Sequence, residues 1–231
     1  MATNTEESIR RFVLPKLNDL KFLIKTLYLY QSDLVKLVNA VVNIRLEQLR
    51  ASNEEVWHPA LIFFFTDIKQ KYSLAIKEKA DGILLKIKAI FAKFEGQIDK
   101  INQLNSQLSE RFIALKAQPH FYFDDPISTT WSPAKIEQLT QSVYKRLIQE
   151  VSLFKSHIKK LEAVYPHFDS INDSDEAMTL ISYWSHWPNI VEYKINTGYD
   201  SLTPAYTSLN HLDILELIDI ELLPIQEQYK I

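Results

Sequence analysis

Six histidines are the residues of this chain best suited to metal binding or acid–base chemistry. They are His58, His120, His157, His167, His186 and His211. A metal site on a helix needs two histidines four residues apart with a carboxylate nearby, and no pair has that spacing. The chain has no cysteine, which excludes disulfides, thiolate zinc sites and cysteine nucleophiles. We therefore predict no metal and no other cofactor.

Three aspartates near residue 170 are close enough in sequence to suggest a calcium loop. Asp169, Asp173 and Asp175 lie within seven residues. The EF-hand loop also needs a glycine at its sixth position and a glutamate at its twelfth, and neither is present. Asp173 followed by Glu176 fits a capping box, since the dipole at a helix N-terminus favours acidic side chains. The pattern predicts a helix start rather than a calcium site.

Asp124 and Asp125 could act as paired carboxylates, but acid–base catalysis would need a second cluster and none is evident. Aspartates directly before Pro126 are typical of a turn. The sequence has no phosphate-binding loop, dinucleotide fingerprint, nucleophile elbow or Ser/His/Asp order. We therefore predict a non-enzymatic protein without a small-molecule substrate.

A series of lysines between residues 69 and 93, interleaved with phenylalanines, could contact the phosphates of a lipid surface. The lysines are Lys69, Lys71, Lys77, Lys79, Lys86, Lys88 and Lys93. The aromatic residues are Phe63, Phe64, Phe65 and Phe91. The alternative is a solvated helix face whose lysines cover core aromatics. If the face binds an anionic surface, we expect Lys86, Lys88 and Lys93 to make the contact.

Tyr183, Trp184 and Trp187 form an aromatic group on one short predicted helix, with His186 between them. Aromatic side chains of this kind can anchor a partner protein. They can equally close the end of a helical bundle, and we favour this second interpretation.

Composition indicates a folded protein of long helices with few turns. Of 231 residues, 46% are hydrophobic and only three are glycine, the residue on which tight turns depend. The net charge of −3 is unevenly distributed, because residues 167–231 carry 11 acidic and 2 basic side chains while residues 1–166 have an excess of basic ones. Neither part is charged strongly enough to predict a nucleic-acid partner.

Heptad spacing predicts a first helix over residues 5–51, with Pro15 either close to its start or at a kink. Eight consecutive a and d positions are apolar or aromatic, which is the cleanest heptad run in the chain. They are Leu20, Leu23, Leu27, Tyr30, Leu34, Leu37, Val41 and Ile44. Further apolar residues widen this stripe, as expected in a bundle of three or four helices.

The same argument predicts a second long helix over residues 60–118, joined to the first as an antiparallel hairpin and either continuous or broken near Gly82. Its a and d positions include Ile87, Ile90, Phe94, Ile101, Leu104, Leu108 and Leu115. A third helix begins at Ser132-Pro133 and ends near Pro166. After it we predict a short helix over residues 173–187, a strand over 190–195 and a last helix over 212–223.

These patterns predict an all-α fold: a long antiparallel helical hairpin with a third long helix in a coiled-coil-like bundle over residues 1–166, and a small, acidic, mostly helical part over 167–231. The N-terminus lacks the apolar stretch of a signal peptide. The most apolar run, residues 60–65, is shorter than the ~20 residues of a membrane span. We expect an intracellular, cytoplasmic protein, although a nuclear one would have the same features.

The functional prediction is a structural or scaffold subunit that assembles through its long helices into a multiprotein complex, because three long helices form too thin a body to cover their own apolar seams. The residues predicted to bind partners, either a second copy or other chains, are Leu20, Leu27, Leu34, Val41, Ile87, Phe94, Ile101, Leu108, Trp184 and Trp187. The alternative prediction is a helical bundle that binds a membrane surface or opens to insert residues 63–65.

Overall fold

A computed structural model of the chain confirms the all-α class. It describes residues 2–53, 56–117, 123–164, 182, 184–185 and 214–222, and contains no strand within those ranges. The helices there are α1 (Ala2–Ser52), α2 (Pro59–Phe64), α3 (Ile68–Lys116), α4 (Pro133–Val164) and α5 (Ile214–Leu222). No helix of the described residues is both long enough and apolar enough to cross a membrane.

Several predicted features lie outside the described ranges. They are the aspartate group at 169–175, the strand at 190–195, Trp187, and the histidines at 120, 167, 186 and 211. Of the helix predicted over 173–187, the structure describes Ser182, Trp184 and Ser185, all of them helical. The predicted domain boundary at residue 166 also falls outside the described residues and stays a prediction.

The first and third long helices follow their predicted bounds closely, because the spacing of apolar residues sets a helical period over many turns. α1 continues through Pro15. A proline inside a helix removes one backbone hydrogen bond, yet Val13 and Leu17 on either side of it are fully buried, and this packing offsets the loss. α4 starts as predicted, since the Ser132 Oγ accepts a hydrogen bond from the Lys135 N–H at 3.3 Å.

The predicted start of the second long helix at residue 60 is wrong, because the chain breaks at residues 65–67 and the long helix begins only at Ile68. α2 begins at Pro59, where the His58 side chain accepts a hydrogen bond from the Ala60 N–H at 3.2 Å. It ends at Phe64, and the following residue, Phe65, has a φ of −129° and a ψ of 78°, which are not helical. α3 then runs unbroken through Gly82, where an added Cβ would meet no atom within 4 Å. This glycine weakens the helix without ending it.

The chain divides into two compact units, and all three long helices contribute to both. Unit 1 comprises residues 1–27, 96–150 and 187–231. In it α1 and α3 run antiparallel, as predicted for a hairpin, and the Arg111 guanidinium lies 5.9 Å from the centre of the Phe12 ring. α4 is antiparallel to α3, and the Asn105 side chain donates a hydrogen bond to the Thr140 carbonyl at 3.1 Å.

Unit 2 comprises residues 28–95 and 151–186. Here too α1 and α3 are antiparallel, and the Tyr72 hydroxyl donates a hydrogen bond to the Glu47 carboxylate at 2.8 Å. α4 packs on α3 through the Phe94 and Phe154 rings, whose centres are 5.9 Å apart. Each unit is therefore a helical bundle with its own apolar core.

Candidate interaction sites

α2 presents the most exposed apolar surface among the described residues. Phe63 is 78% exposed, Phe64 74% and Phe65 56%, and Leu61 beside them is also exposed. No residue of α2 is buried. We call these four residues the α2 aromatic cluster. Isolated exposed apolar residues are ordinary, but a contiguous group of large ones is a candidate interaction surface.

The base of α2 is held by contacts within unit 2. The Trp57 indole donates a hydrogen bond to the Ala51 carbonyl near the end of α1, at 2.7 Å. Its ring packs edge-on against Tyr72 with centres 5.4 Å apart. The hydrogen bond from Tyr72 to the Glu47 carboxylate, assisted by burial, raises the pKa of the phenol. These contacts join α1 to α3 and leave the α2 aromatic cluster outside them.

Charged residues follow α2 closely. Asp67 pairs with Lys71 at 2.7 Å, and the hydrogen bond from Lys71 lowers the pKa of the Asp67 carboxyl. Further along α3, Lys79 lies 3.8 Å from the Glu47 carboxylate. The cluster is therefore bordered by exposed ions of both signs.

The three lysines predicted to contact an anionic surface do not share one side of α3. Lys86 and Lys93 are seven residues apart and lie on one side, together with Lys79. Lys88 follows Lys86 by two residues, which turns it about 160° away around the helix axis. All four are exposed. A flat surface could touch the side bearing Lys79, Lys86 and Lys93 without reaching Lys88.

The predicted seam residues lie in the core of the chain itself. Seven of them are fully buried and Val41 is only 4% exposed. The seven are Leu20, Leu27, Leu34, Ile87, Phe94, Ile101 and Leu108. These side chains are covered by the chain's own helices, and their predicted role in binding a partner stays a prediction.

Trp184 is also buried, in an aromatic group of unit 2. Its ring stacks on Phe154 with centres 4.6 Å apart, and its carbonyl accepts a hydrogen bond from the Gln31 side chain at 3.0 Å. The half-buried His157 ring lies 6.4 Å from the Trp184 ring. Burial, with a smaller repulsion from Lys160, lowers the pKa of His157. Trp184 is therefore not on the surface where a partner could reach it.

No group of three or more histidine, aspartate or glutamate residues in the described part of the chain could hold a metal ion. His58 caps α2 and His157 lies beside Trp184, in different parts of unit 2. Asp124 and Asp125 are both exposed at the turn before α4.

A polar site in unit 1 was not predicted. Residues 128–131, which we call the carboxylate cradle, surround the side chain of Glu221 from α5. Its carboxylate accepts hydrogen bonds from the Ser128 hydroxyl at 2.7 Å, from the Thr130 N–H at 2.8 Å and from the Trp131 N–H at 3.1 Å. The Thr130 hydroxyl donates a further one. The carboxylate is only 3% exposed, so the cradle satisfies it almost without water.

The cradle is closed by its own backbone, because the Ile127 N–H donates a hydrogen bond to the Trp131 carbonyl at 2.9 Å. Two contacts flank it: the Thr129 hydroxyl donates to the Ile220 carbonyl at 3.2 Å, and Lys21 pairs with Asp219. The sequence held one indication that Glu221 is buried. Residues 214, 217, 218 and 221 have the spacing of one helix face, so Glu221 lies on the same side as three apolar residues.

The chain matches no protein-family model, and no curated protein is significantly similar to it in sequence. Its function is therefore inferred from these contacts and exposures.

Proposed function

We propose that the protein is a non-enzymatic subunit of a multiprotein assembly and that it binds a partner protein through the α2 aromatic cluster. The observation that carries the proposal is the exposure of α2, a six-residue apolar helix with no buried residue. Two exposed phenylalanines end this helix and a third directly follows it. Aromatic side chains dominate the binding energy of protein interfaces because each one removes a large apolar area from water.

The burial of the seam residues supports this choice of surface. Because the eight residues from Leu20 to Leu108 are covered within the chain, the long helices act as the scaffold and not as the interface. The contacts of Trp57 and Tyr72 with α1 hold the base of α2, which lowers the entropy lost when the cluster is covered. The partner would supply an apolar groove for Phe63 and Phe64.

Site-specific photo-crosslinking in expressing cells tests this proposal. A photoreactive phenylalanine derivative at position 64 should give a discrete crosslinked protein. The same derivative at Phe22, which is exposed to a similar degree but lies outside the cluster, should not. The crosslink from position 64 should disappear when Phe63 and Phe65 are both changed to serine. Equal crosslinking from positions 64 and 22 would contradict the proposal.

A second candidate function is binding to an anionic membrane surface, which the exposed phenylalanines and the lysine series of α3 favour. Lipid headgroups would attract Lys79, Lys86 and Lys93 while the aromatic side chains enter the interface. Sedimentation with anionic vesicles should then weaken with salt, and should be reduced more by Lys86→Glu with Lys93→Glu than by Lys88→Glu. No sedimentation at low salt would contradict this second function.

A further inference from the structure

α5 is held in unit 1 as a ligand is held in a groove. Its apolar residues Ile214, Leu217 and Ile218 are buried, and Glu221 one turn further on enters the carboxylate cradle. Lys21 pairs with Asp219 at the edge. An apolar helix face packed in a groove is a common mode of peptide recognition. Here one buried carboxylate adds a polar contact to it.

The length of α5 makes its helical structure dependent on this groove. A helix of nine residues is shorter than the roughly 12–15 residues needed for marginal stability in water. Its folding and its binding are therefore coupled, so α5 opens by losing its contacts and its helical structure together.

The cradle favours an anion, because all four of its polar groups donate to the bound side chain and charged acceptors form the stronger hydrogen bonds. Two backbone N–H groups and two hydroxyls converge on the Glu221 carboxylate. An amide in its place would receive the same donors on an uncharged oxygen, so the charge-assisted hydrogen bonds would be replaced by weaker neutral ones. α5 carries three acidic residues and no basic one, which matches Lys21 at the edge.

We propose that this groove of unit 1 is a receptor for an acidic amphipathic helix, and that the chain occupies it with its own α5 until a partner protein bearing such a helix displaces it. The partner helix has apolar residues at positions i, i+3 and i+4 and a carboxylate at i+7. This site is separate from the α2 aromatic cluster and does not depend on the function proposed for it.

The test uses the full-length chain and a labelled synthetic peptide of residues 212–223. In the Glu221→Ala chain the peptide should bind, measured by fluorescence anisotropy. The wild-type chain should bind it about tenfold more weakly, since its tethered α5 competes at a roughly millimolar effective concentration. A peptide with glutamine in place of Glu221 should lose about tenfold in affinity for the variant chain because a charged hydrogen-bond acceptor is lost.

The matched control is a peptide with glutamine in place of Glu216, which removes the same charge from an exposed position of α5 and should bind like the unmodified peptide. Equal affinities for the two glutamine peptides would overturn the proposal. So would the absence of peptide binding, or unchanged hydrogen-exchange protection of residues 214–222 in the Glu221→Ala chain, since the carboxylate would then not be what holds the helix.

If the variant chain loses its helical content, the wild-type chain serves instead. Excess unmodified peptide should accelerate hydrogen exchange at residues 214–222 of the intact chain, because the peptide replaces the tethered helix. The peptide with glutamine in place of Glu221 should not. No acceleration by the unmodified peptide would overturn the proposal.

Discussion

α2 and α5 are both short, mostly apolar helices, yet α2 has no buried residue and α5 is buried along one side. α2 has six residues, none of them buried, whereas four of the nine residues of α5 are buried. Apolar content does not explain this difference. α5 carries three acidic residues and α2 carries none, so the more apolar helix is the more exposed one. The difference lies in the polar contacts that each helix makes beyond itself.

α5 inserts a carboxylate that four hydrogen bonds satisfy, and those directional contacts determine which side of the helix faces the bundle. α2 has a histidine cap at its start but no polar residue of its own that reaches another element. The hydrophobic effect has no direction, so apolar residues alone do not specify where a helix packs or which of its sides is buried. In this chain the short helix with a buried polar anchor is docked, and the one without such an anchor has no buried residue.

The largest expected effect comes from removing the group that fixes α5. Glu221→Ala leaves the buried donors of Ser128 and Trp131 without the carboxylate that accepts from them. The free energy of opening α5 should fall by about 3 kcal/mol, measured by native-state hydrogen exchange at residues 214–222. Glu216→Ala on the exposed side of the same helix should change it by less than about 0.5 kcal/mol. A similar loss in both variants would remove the distinction between the two helices.

Ser128→Ala should weaken the same contact by less. It removes one of the four hydrogen bonds and leaves the backbone donors in place, so we expect a loss of about 1 kcal/mol in the opening free energy of α5. Ser106→Ala is a suitable control, because its hydroxyl bonds only to the Asn102 carbonyl on an exposed part of α3. An unchanged α5 in Ser128→Ala would mean that the backbone N–H groups alone hold the carboxylate.

A pH titration should separate the unit that carries α2 from the unit that carries α5. The pKa of His157 in unit 2 is lowered by burial, so the unfolded chain binds the proton first as pH falls. The stability of unit 2 should therefore decrease below the ordinary histidine pKa of about 6.5. His157→Gln should reduce this slope between pH 7 and pH 5 in chemical denaturation. Identical slopes in both proteins would contradict the assignment.

The smallest effect on stability is expected in α2. Changing Phe63, Phe64 and Phe65 together to serine should alter the free energy of unfolding by less than about 0.5 kcal/mol in total, because these side chains are already in contact with water. The measurement is chemical denaturation followed by circular dichroism. A large loss of stability would mean that the α2 aromatic cluster supports the bundle and is not a presented surface.

The long helices could be predicted because their period repeats over many turns. The apolar stripes through Leu20 and Phe94 identify α1 and α3 regardless of what covers them. The break at residues 65–67 could not be predicted in the same way, since no proline or glycine occurs there. Gly82 was a more obvious place for a break. Its backbone stays helical, because a glycine costs only about 1 kcal/mol relative to alanine in a helix that packing holds on both sides.

The two sites differ in how much of them the sequence could reveal. The apolar run of α2 is visible, but its exposure depends on where the chain turns. The position of Glu221 on the apolar side of α5 is also visible. Its partners are not, because Ser128 and Thr130 lie about ninety residues earlier in the chain and hydroxyl residues are common in any loop. Contacts so distant in sequence leave no local pattern.

The positions of the tryptophans give these regions separate optical signals. Trp131 belongs to the carboxylate cradle and is buried with Lys135 6.0 Å from its ring centre, so its emission should shift to longer wavelength when α5 leaves. Trp57 lies at the base of α2 and Trp184 is enclosed by the aromatic rings of unit 2. Replacing Trp57, Trp184 and Trp187 with phenylalanine would leave Trp131 as the only tryptophan. Intrinsic fluorescence could then follow the exchange of α5 in real time.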